Sequence, residues 1–228
     1  MQRGFFDRSI TGWWSGKVMV SLCLLSFACS APANDVVPPA QSANLSEARA
    51  YWLAADTLAW PVNTDSKVSL HFSAAAGLQV TPSGLTGGQA ITLQSAGLVE
   101  GKLAARFPHL AGLPAFRLPS SGIEQAADIL KFQLALSASG PGGLVRDATA
   151  VQHAGVLDDL FKWDGPLGVT FEGRRPVFRL WAPTARSVKL LLFDSSEPGV
   201  KPAHTLPMSE DPGTGTWVLK GEADWNRK

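Results

Sequence analysis

The sequence predicts a mainly β protein with two consecutive small sandwich domains and one short helix in the first domain. Short segments of alternating apolar and polar residues recur along the chain, and turn-forming residues separate them. Glycine (22) and proline (16) are plentiful among the 228 residues, and only 17% of the residues are charged. This composition favours short strands over long helices. The two predicted domains cover residues 49–155 and 156–228.

The first predicted domain begins with strands and turns. Residues 67–72 alternate strictly, with apolar side chains on one face, which is typical of a half-buried strand. His71 lies on the polar face of this strand, so we expect it to be solvated. A glycine-rich turn at 81–89 and a second strand at 90–93 follow.

The one predicted helix covers residues 120–131. Ser121 and Glu124 have the spacing of a capping box, in which each side chain bonds a free backbone N–H of the first turn. Apolar residues follow at helical spacing and predict one buried face: Ile123, Ala126, Ala127 and Leu130. Residues 132–138 then switch to a period of two, which predicts another strand.

The second predicted domain follows a connector at 155–168. Residues 170–183 predict a strand, a turn and a strand, and further strands are predicted at 187–194 and 216–221. Short strands at this spacing are typical of a small sandwich. The last predicted strand ends just before Lys228, so we expect this second domain to be incomplete.

Residues 1–33 predict a bacterial export signal, because basic residues precede a short apolar run at 18–29 and small residues follow. The apolar run is too short for a permanent membrane helix. Two cleavage sites fit. One lies after Ala33, and the other lies before Cys29, which would then become the acylated first residue of an outer-membrane lipoprotein. Residues 34–48 predict a flexible tether in either case.

The composition also excludes several classes of site. Cys23 and Cys29 are the only cysteines, so the mature chain is expected to have no internal disulfide and no thiolate metal site. The four histidines have no closely spaced partner, and no cofactor motif is present, so we expect neither a metal nor a cofactor. A formal net charge of +1 without basic clusters predicts no nucleic-acid partner.

The segment FRLWAPTARSVKLLLFD, residues 178–194, is the most specific motif in the sequence. It resembles the opening strands of carbohydrate-binding module family 48, an immunoglobulin-like sandwich that precedes the catalytic barrel in debranching enzymes of glycoside hydrolase family 13. Upstream, the segments YWLAADTLAWP, KVSLHFS and FPHLAGLPAFRLP resemble the N2-type domain that precedes this module in bacterial type I pullulanases and limit dextrinases. The resemblance extends from Ala48 to Lys228.

The resemblance implies a parent enzyme that hydrolyses α-1,6 branch linkages in pullulan, starch or limit dextrins. Such an enzyme uses two carboxyl groups, an Asp nucleophile and a Glu acid/base, on a barrel. No catalytic motif of that barrel matches this chain, and the adjacent Asp158 and Asp159 are expected to cap a helix or to form a salt bridge to the barrel. We therefore expect a non-catalytic N-terminal fragment of an exported enzyme. The alternative is a stand-alone surface protein that binds α-glucan.

The tryptophans are the candidate binding residues, because aromatic rings stack on the apolar face of a sugar. Trp181, Trp217 and Trp163 lie in or near the second predicted domain, and they are the candidate contacts for branched α-glucan. Packing against the barrel or the preceding domain is the alternative role for Trp181, and core packing is the alternative for Trp217. Trp52 and Trp60 are expected in the core. Other expected partners are the barrel in cis and, through a lipid anchor only, the membrane.

Overall fold

The computed structural model describes residues 43–81 and 84–227, which belong to one compact unit of the chain. The predicted export signal, Cys29 and residues 34–42 of the predicted tether lie outside the described residues. We term residues 44–160 the first region and residues 168–227 the second region. The mainly β prediction is confirmed, because both regions are built on sheets.

The described part of the first region contains ten strands. They are β1 (Asn44–Ala54), β2 (Thr57–Ala59), β3 (Lys67–Ser73), β4 (Gln79–Thr81), β5 (Gly84–Thr86), β6 (Gln89–Thr92), β7 (Gln94–Leu98), β8 (Pro114–Arg117), β9 (Gln133–Ser139) and β10 (Val145–Gln152). β1 begins at Asn44, so residues 44–48 are strand rather than tether. The predicted turn at 81–89 contains the last residue of β4 and the whole of β5, which pair with each other.

Eight of these strands form one sheet, in the order β6-β3-β9-β10-β1-β2-β8-β7. β1 and β10 run parallel, whereas the other neighbouring strands pair antiparallel. Arg49 of β1 donates to Asp147 of β10 over 2.7 and 2.8 Å, which ties the two parallel strands together. β10 was not predicted, because its register depends on a partner that is distant in sequence.

The main core lies on one face of this sheet. Trp52 and Trp60 are fully buried there, as predicted, and Val68, Leu70 and Phe72 of β3 face the same cluster. Each buried side chain of this size contributes about 1.5–3 kcal/mol through apolar burial. A smaller buried cluster also forms in this region: Leu53, Ala59, Val99, Leu110 and Ala115.

Four short α-helices lie in the first region, where one was predicted. They are α1 (Gly101–Arg106), α2 (Ser120–Glu124), α3 (Ala126–Ile129) and α4 (Ala154–Leu160), and a 3-10 turn spans Pro108–Leu110. The predicted helix is divided at Gln125 into α2 and α3. Among the described residues, no helix has the length and apolar character needed to span a bilayer.

The predicted capping box does not form. Pro119 occupies the N-cap position of α2, and no side chain caps the helix there. Since proline fixes φ and lacks an N–H, the helix starts directly after it, and Ser121 lies inside the first turn. The Gln125 side chain instead donates to the carbonyl of Ser121 over 2.9 Å.

The second region contains six strands: β11 (Gly168–Glu172), β12 (Arg175–Trp181), β13 (Lys189–Leu192), β14 (His204–Pro207), β15 (Ser209–Asp211) and β16 (Thr216–Lys220). Four of them form a sheet in the order β11-β12-β16-β15, and β13 pairs with β14. A 3-10 turn spans Ala223–Arg227. The predicted strand–turn–strand at 170–183 corresponds to β11 and β12, with β11 starting two residues earlier.

One side of the β11–β12 hairpin is apolar and open to solvent. Val169, Phe171 and Leu180 lie on this side, and each side chain is about half exposed (53, 54 and 49%). We term these three residues the apolar face. Contiguous apolar surface of this kind marks either an interaction site or a tendency to self-associate.

Candidate functional site

A cleft lies where the first region meets the second. It has a volume of about 390 Å³, within the range of roughly 300–1,000 Å³ that is usual for small-molecule sites. Its lining combines tryptophan rings, aliphatic and aromatic side chains, and one charge of each sign: Asp158, Phe161, Lys162, Trp163, Leu167 and Trp181. This mixture of rings and hydrogen-bonding groups is the chemistry that a sugar requires.

Trp181, the last residue of β12, forms the inner part of the cleft. Its side chain is partly buried and packs against the main core of the first region. The indole Nε1–H is shared between two carbonyl oxygens, that of Phe161 and that of Thr214, each 3.1 Å away. Trp181 therefore bonds the end of α4 and the turn between β15 and β16 at the same time.

Trp163, in the connector between the regions, is held by several contacts. The guanidinium of Arg179 lies 4.3 Å from the centre of the Trp163 ring, a cation–π contact. Arg179 is itself fixed, because it donates to the Thr216 hydroxyl over 2.9 Å. Gly165 also approaches the ring closely, since a Cβ added there would lie 2.4 Å from a Trp163 ring atom. These contacts within the chain hold the ring in place.

The charged residues of the cleft are exposed, and each forms an ion pair at the surface. The Asp158 side chain is 68% exposed and lies 3.4 Å from Arg106, and the Lys162 side chain is 76% exposed and lies 3.2 Å from Asp164. Exposed pairs of this kind contribute little to stability. Asp158 and Lys162 are therefore available to accept from and donate to ligand hydroxyl groups.

Contacts outside the cleft also join the two regions. The Lys131 ammonium and the Glu210 carboxylate are 2.6 Å apart and mostly shielded from solvent, with exposed fractions of 19 and 24%. Arg186 donates to the carbonyl of Ala74 over 2.8 Å, and its guanidinium lies 5.8 Å from the centre of the Phe132 ring. These contacts fix the relative placement of the regions without touching the cleft.

The structure brings together two of the three tryptophans proposed from the sequence. Trp163 and Trp181 line the same cleft. Trp217 of β16 does not line it; its side chain is only 6% exposed and donates to the carbonyl of Ala182 over 3.0 Å. Its ring has therefore little surface left for a sugar.

Sequence reasoning missed the remaining lining residues of the cleft. The helix α4 occupies the start of the predicted connector at 155–168, and its end supplies part of the lining. The available signal was the composition of that connector, which carries aromatic and charged side chains over a length greater than a simple turn needs. The missed residues are Asp158, Phe161, Lys162 and Leu167.

His71 differs from its expected solvated state. Its imidazole is half-buried, and Nε2 lies 2.8 Å from the hydroxyl of the buried Ser137 on the neighbouring strand β9. Burial lowers the pKa of His71 from its ordinary value of 6.5, because desolvation disfavours the charged imidazolium. Among the residues described, no group of three or more His, Cys, Asp or Glu side chains is arranged to hold a metal ion.

Two family models match the chain in succession. Residues 47–159 match the pullulanase N2 domain, and residues 166–228 match carbohydrate-binding module 48, described as the isoamylase N-terminal domain. The cleft lies at the boundary between the two matches and draws its lining residues from both sides of that boundary.

Comparison with known proteins gives relatives over the same part of the chain. The chain is 31% identical to Pullulanase 1, chloroplastic, from Arabidopsis thaliana over 180 residues, and 30% identical to a pullulanase from Klebsiella pneumoniae over 181 residues. Each match covers 78% of this chain but only 18% and 16% of the relative. The chain therefore spans less than a fifth of the length of these relatives.

Solved structures match at the level of the fold as well. A Klebsiella pneumoniae pullulanase complexed with maltotriose superimposes with a TM-score of 0.70 and 30% identity, over 80% of this chain and 17% of that chain. PulA from Klebsiella oxytoca gives a TM-score of 0.71 at 29% identity, over 79% of this chain and 17% of its own. The arrangement of strands described above is thus shared with the corresponding part of these proteins.

Proposed function

Because the chain carries a pullulanase N2 domain followed by a family 48 carbohydrate-binding module, we propose that it forms the non-catalytic N-terminal part of an exported pullulanase-type enzyme. Such an enzyme hydrolyses α-1,6-glucosidic branch linkages in pullulan, starch or limit dextrins. The observation that carries the proposal is the order of the two domains, which together match residues 47–159 and 166–228. In this role the chain supports the catalytic body and contacts the branched α-glucan.

The non-catalytic part of this proposal follows from the chemistry of glycoside hydrolysis. That reaction needs two carboxyl groups on either side of the scissile bond. Among the described residues that line the cleft, Asp158 is the one carboxylate. We expect the purified 228-residue chain to release no reducing sugar from pullulan, whereas a complete pullulanase assayed in parallel does so. Release by the chain alone, above a heat-inactivated control, would contradict the proposal.

The glucan contact is tested separately by affinity electrophoresis. We expect the chain to migrate more slowly in gels that contain pullulan or amylopectin, and soluble β-cyclodextrin to reverse the retardation. The proposed contacts are Trp163 and Trp181, which line the cleft. A stand-alone α-glucan-binding protein would show the same retardation, and the reading frame downstream of Lys228 distinguishes it from the enzyme. Unchanged mobility in both polysaccharides would remove glucan contact from the proposed function.

The proposal that the chain is exported rests on the sequence of residues 1–33 alone. We propose that this segment directs secretion and that Cys29 becomes the acylated N-terminus of the mature chain. The intact mass of the protein recovered from its native host measures this directly. A mass that begins at Cys29 with attached lipid supports the anchor, whereas an unmodified N-terminus at Asn34 excludes it and leaves a soluble exported protein.

A further inference from the structure

The cleft is composite, because neither region forms it alone. Asp158 lies in α4 of the first region, and Phe161 follows directly after α4, at the boundary of that region. Trp181 lies in β12 of the second region, and Leu167 is the residue just before that region. If the two regions separated, the two walls would separate with them, and the remaining surface would no longer be concave.

The bond that joins these walls also fixes the cleft residue Trp181. Its indole N–H reaches the Phe161 carbonyl on one side of the junction and the Thr214 carbonyl on the other. Phe161 is itself 3% exposed and belongs to the main core of the first region. The orientation of the Trp181 ring therefore depends on both regions being in contact.

We propose that the cleft is an α-glucan-binding site that exists only while the two regions are docked, so that glucan binding and docking stabilise each other. The inference rests on the proposed glucan contact in this cleft and adds its dependence on docking. The ligand class follows from the lining: ordered tryptophan rings for the apolar face of a glucosyl unit, and Asp158 and Lys162 for its hydroxyl groups. Such linkage is necessarily reciprocal.

The contacts outside the cleft allow docking to be weakened without changing a lining residue. Glu210→Lys places an ammonium against the Lys131 ammonium, where the two groups are now 2.6 Å apart and mostly shielded. A protein that is docked only about a tenth of the time loses apparent affinity about tenfold, because only the docked form binds. The double variant Lys131→Glu with Glu210→Lys restores an ion pair of reversed polarity and is the matched control.

The experiment measures retardation in pullulan gels for the full chain and its variants. We expect Trp163→Ala to abolish retardation, Glu210→Lys to weaken it about tenfold, and the charge-swapped double variant to recover it. Lys220→Gln removes an exposed ion pair with Glu172 that lies within the second region, so it should bind like the original chain. Far-UV circular dichroism verifies that each variant keeps the secondary structure of both regions.

Three outcomes overturn the inference in different ways. Retardation that is unchanged in Trp163→Ala places the glucan site elsewhere and removes Trp163 from the proposed contacts, while the proposed place of the chain in a pullulanase-type enzyme stands. Loss of retardation in Trp163→Ala together with full binding by Glu210→Lys keeps the cleft as a glucan site but excludes its dependence on docking. If the original chain is not retarded at all, both the inference and the proposed glucan contact fail.

Discussion

At the residue scale, the tryptophans show how position within the fold decides the role of one side chain. Trp181 and Trp217 lie on neighbouring strands, yet only Trp181 lines the cleft, whereas Trp217 is buried and bonds Ala182. Strand periodicity predicts which face a residue occupies, but it does not predict what covers that face. The carbonyls of Phe161 and Thr214, which bond Trp181, lie 20 and 33 residues away in sequence.

Trp181→Phe isolates the contribution of the shared indole N–H. The phenyl ring keeps much of the apolar contact, but the Phe161 and Thr214 carbonyls lose their donor. We expect the free energy of unfolding to fall by about 1–2 kcal/mol, since one hydrogen bond is worth about that much and its partners stay partly buried. Urea denaturation of both proteins measures this change in the free energy of unfolding. Trp163→Phe is the control, because the Trp163 Nε1–H donates to the Pro166 carbonyl over a longer distance, 3.4 Å; an equal loss there would contradict the assignment.

His71 gives a pH dependence whose sign follows from its lowered pKa. The unfolded chain binds a proton near pH 6.5, whereas the folded chain binds it only at lower pH, because burial disfavours the imidazolium. The stabilisation is therefore complete above pH 6.5 and is lost as the pH falls through the folded pKa. We expect the melting temperature to decrease more between pH 7.5 and 5.5 in the original chain than in His71→Gln. Parallel decreases in both proteins would contradict this.

At the scale of elements, strands whose apolar and polar residues alternate clearly were predicted well. A helix that contains glycine for packing reasons was not. β3, β11 and β12 appear near their predicted positions because an apolar face is visible in their sequence. α4 was missed, since it contains Gly155, a poor helix former. That glycine is required by packing, because a Cβ there would lie 2.9 Å from the Leu53 carbonyl oxygen. Local propensity thus fails where tertiary contact dictates the residue.

The apolar face on the β11–β12 hairpin predicts the behaviour of the isolated chain. Val169, Phe171 and Leu180 are each about half exposed, so we expect the chain to self-associate as its concentration rises. Phe171→Thr keeps a strand-forming residue but removes the ring, and light scattering should show less association. Glu172→Thr, the next residue on the opposite side of the strand, is the control and should not change it. A chain that stays monomeric at all concentrations would contradict this prediction.

At the scale of the whole molecule, the candidate site depends on contacts between segments that are distant in sequence. The sequence predicted two successive β-rich domains and named two of the lining tryptophans, because both facts are visible locally. It did not predict that these tryptophans meet. The meeting of the tryptophans depends on contacts between the regions. Lys131 pairs with Glu210, 79 residues away, and Arg186 donates to the Ala74 carbonyl, 112 residues away. Pairings at such separation leave no periodic signal in the sequence.

These same contacts predict that the two regions unfold together. Trp181 of the second region packs on the core of the first, and the Lys131–Glu210 pair is mostly shielded, so separating the regions costs much of the stability of each. We expect tryptophan fluorescence and far-UV circular dichroism to report one coincident urea transition. Glu210→Lys should split it into two, because the repelled regions then unfold independently. Two separate transitions in the original chain would show that each region is stable alone, and they would contradict the coupling on which the composite cleft depends.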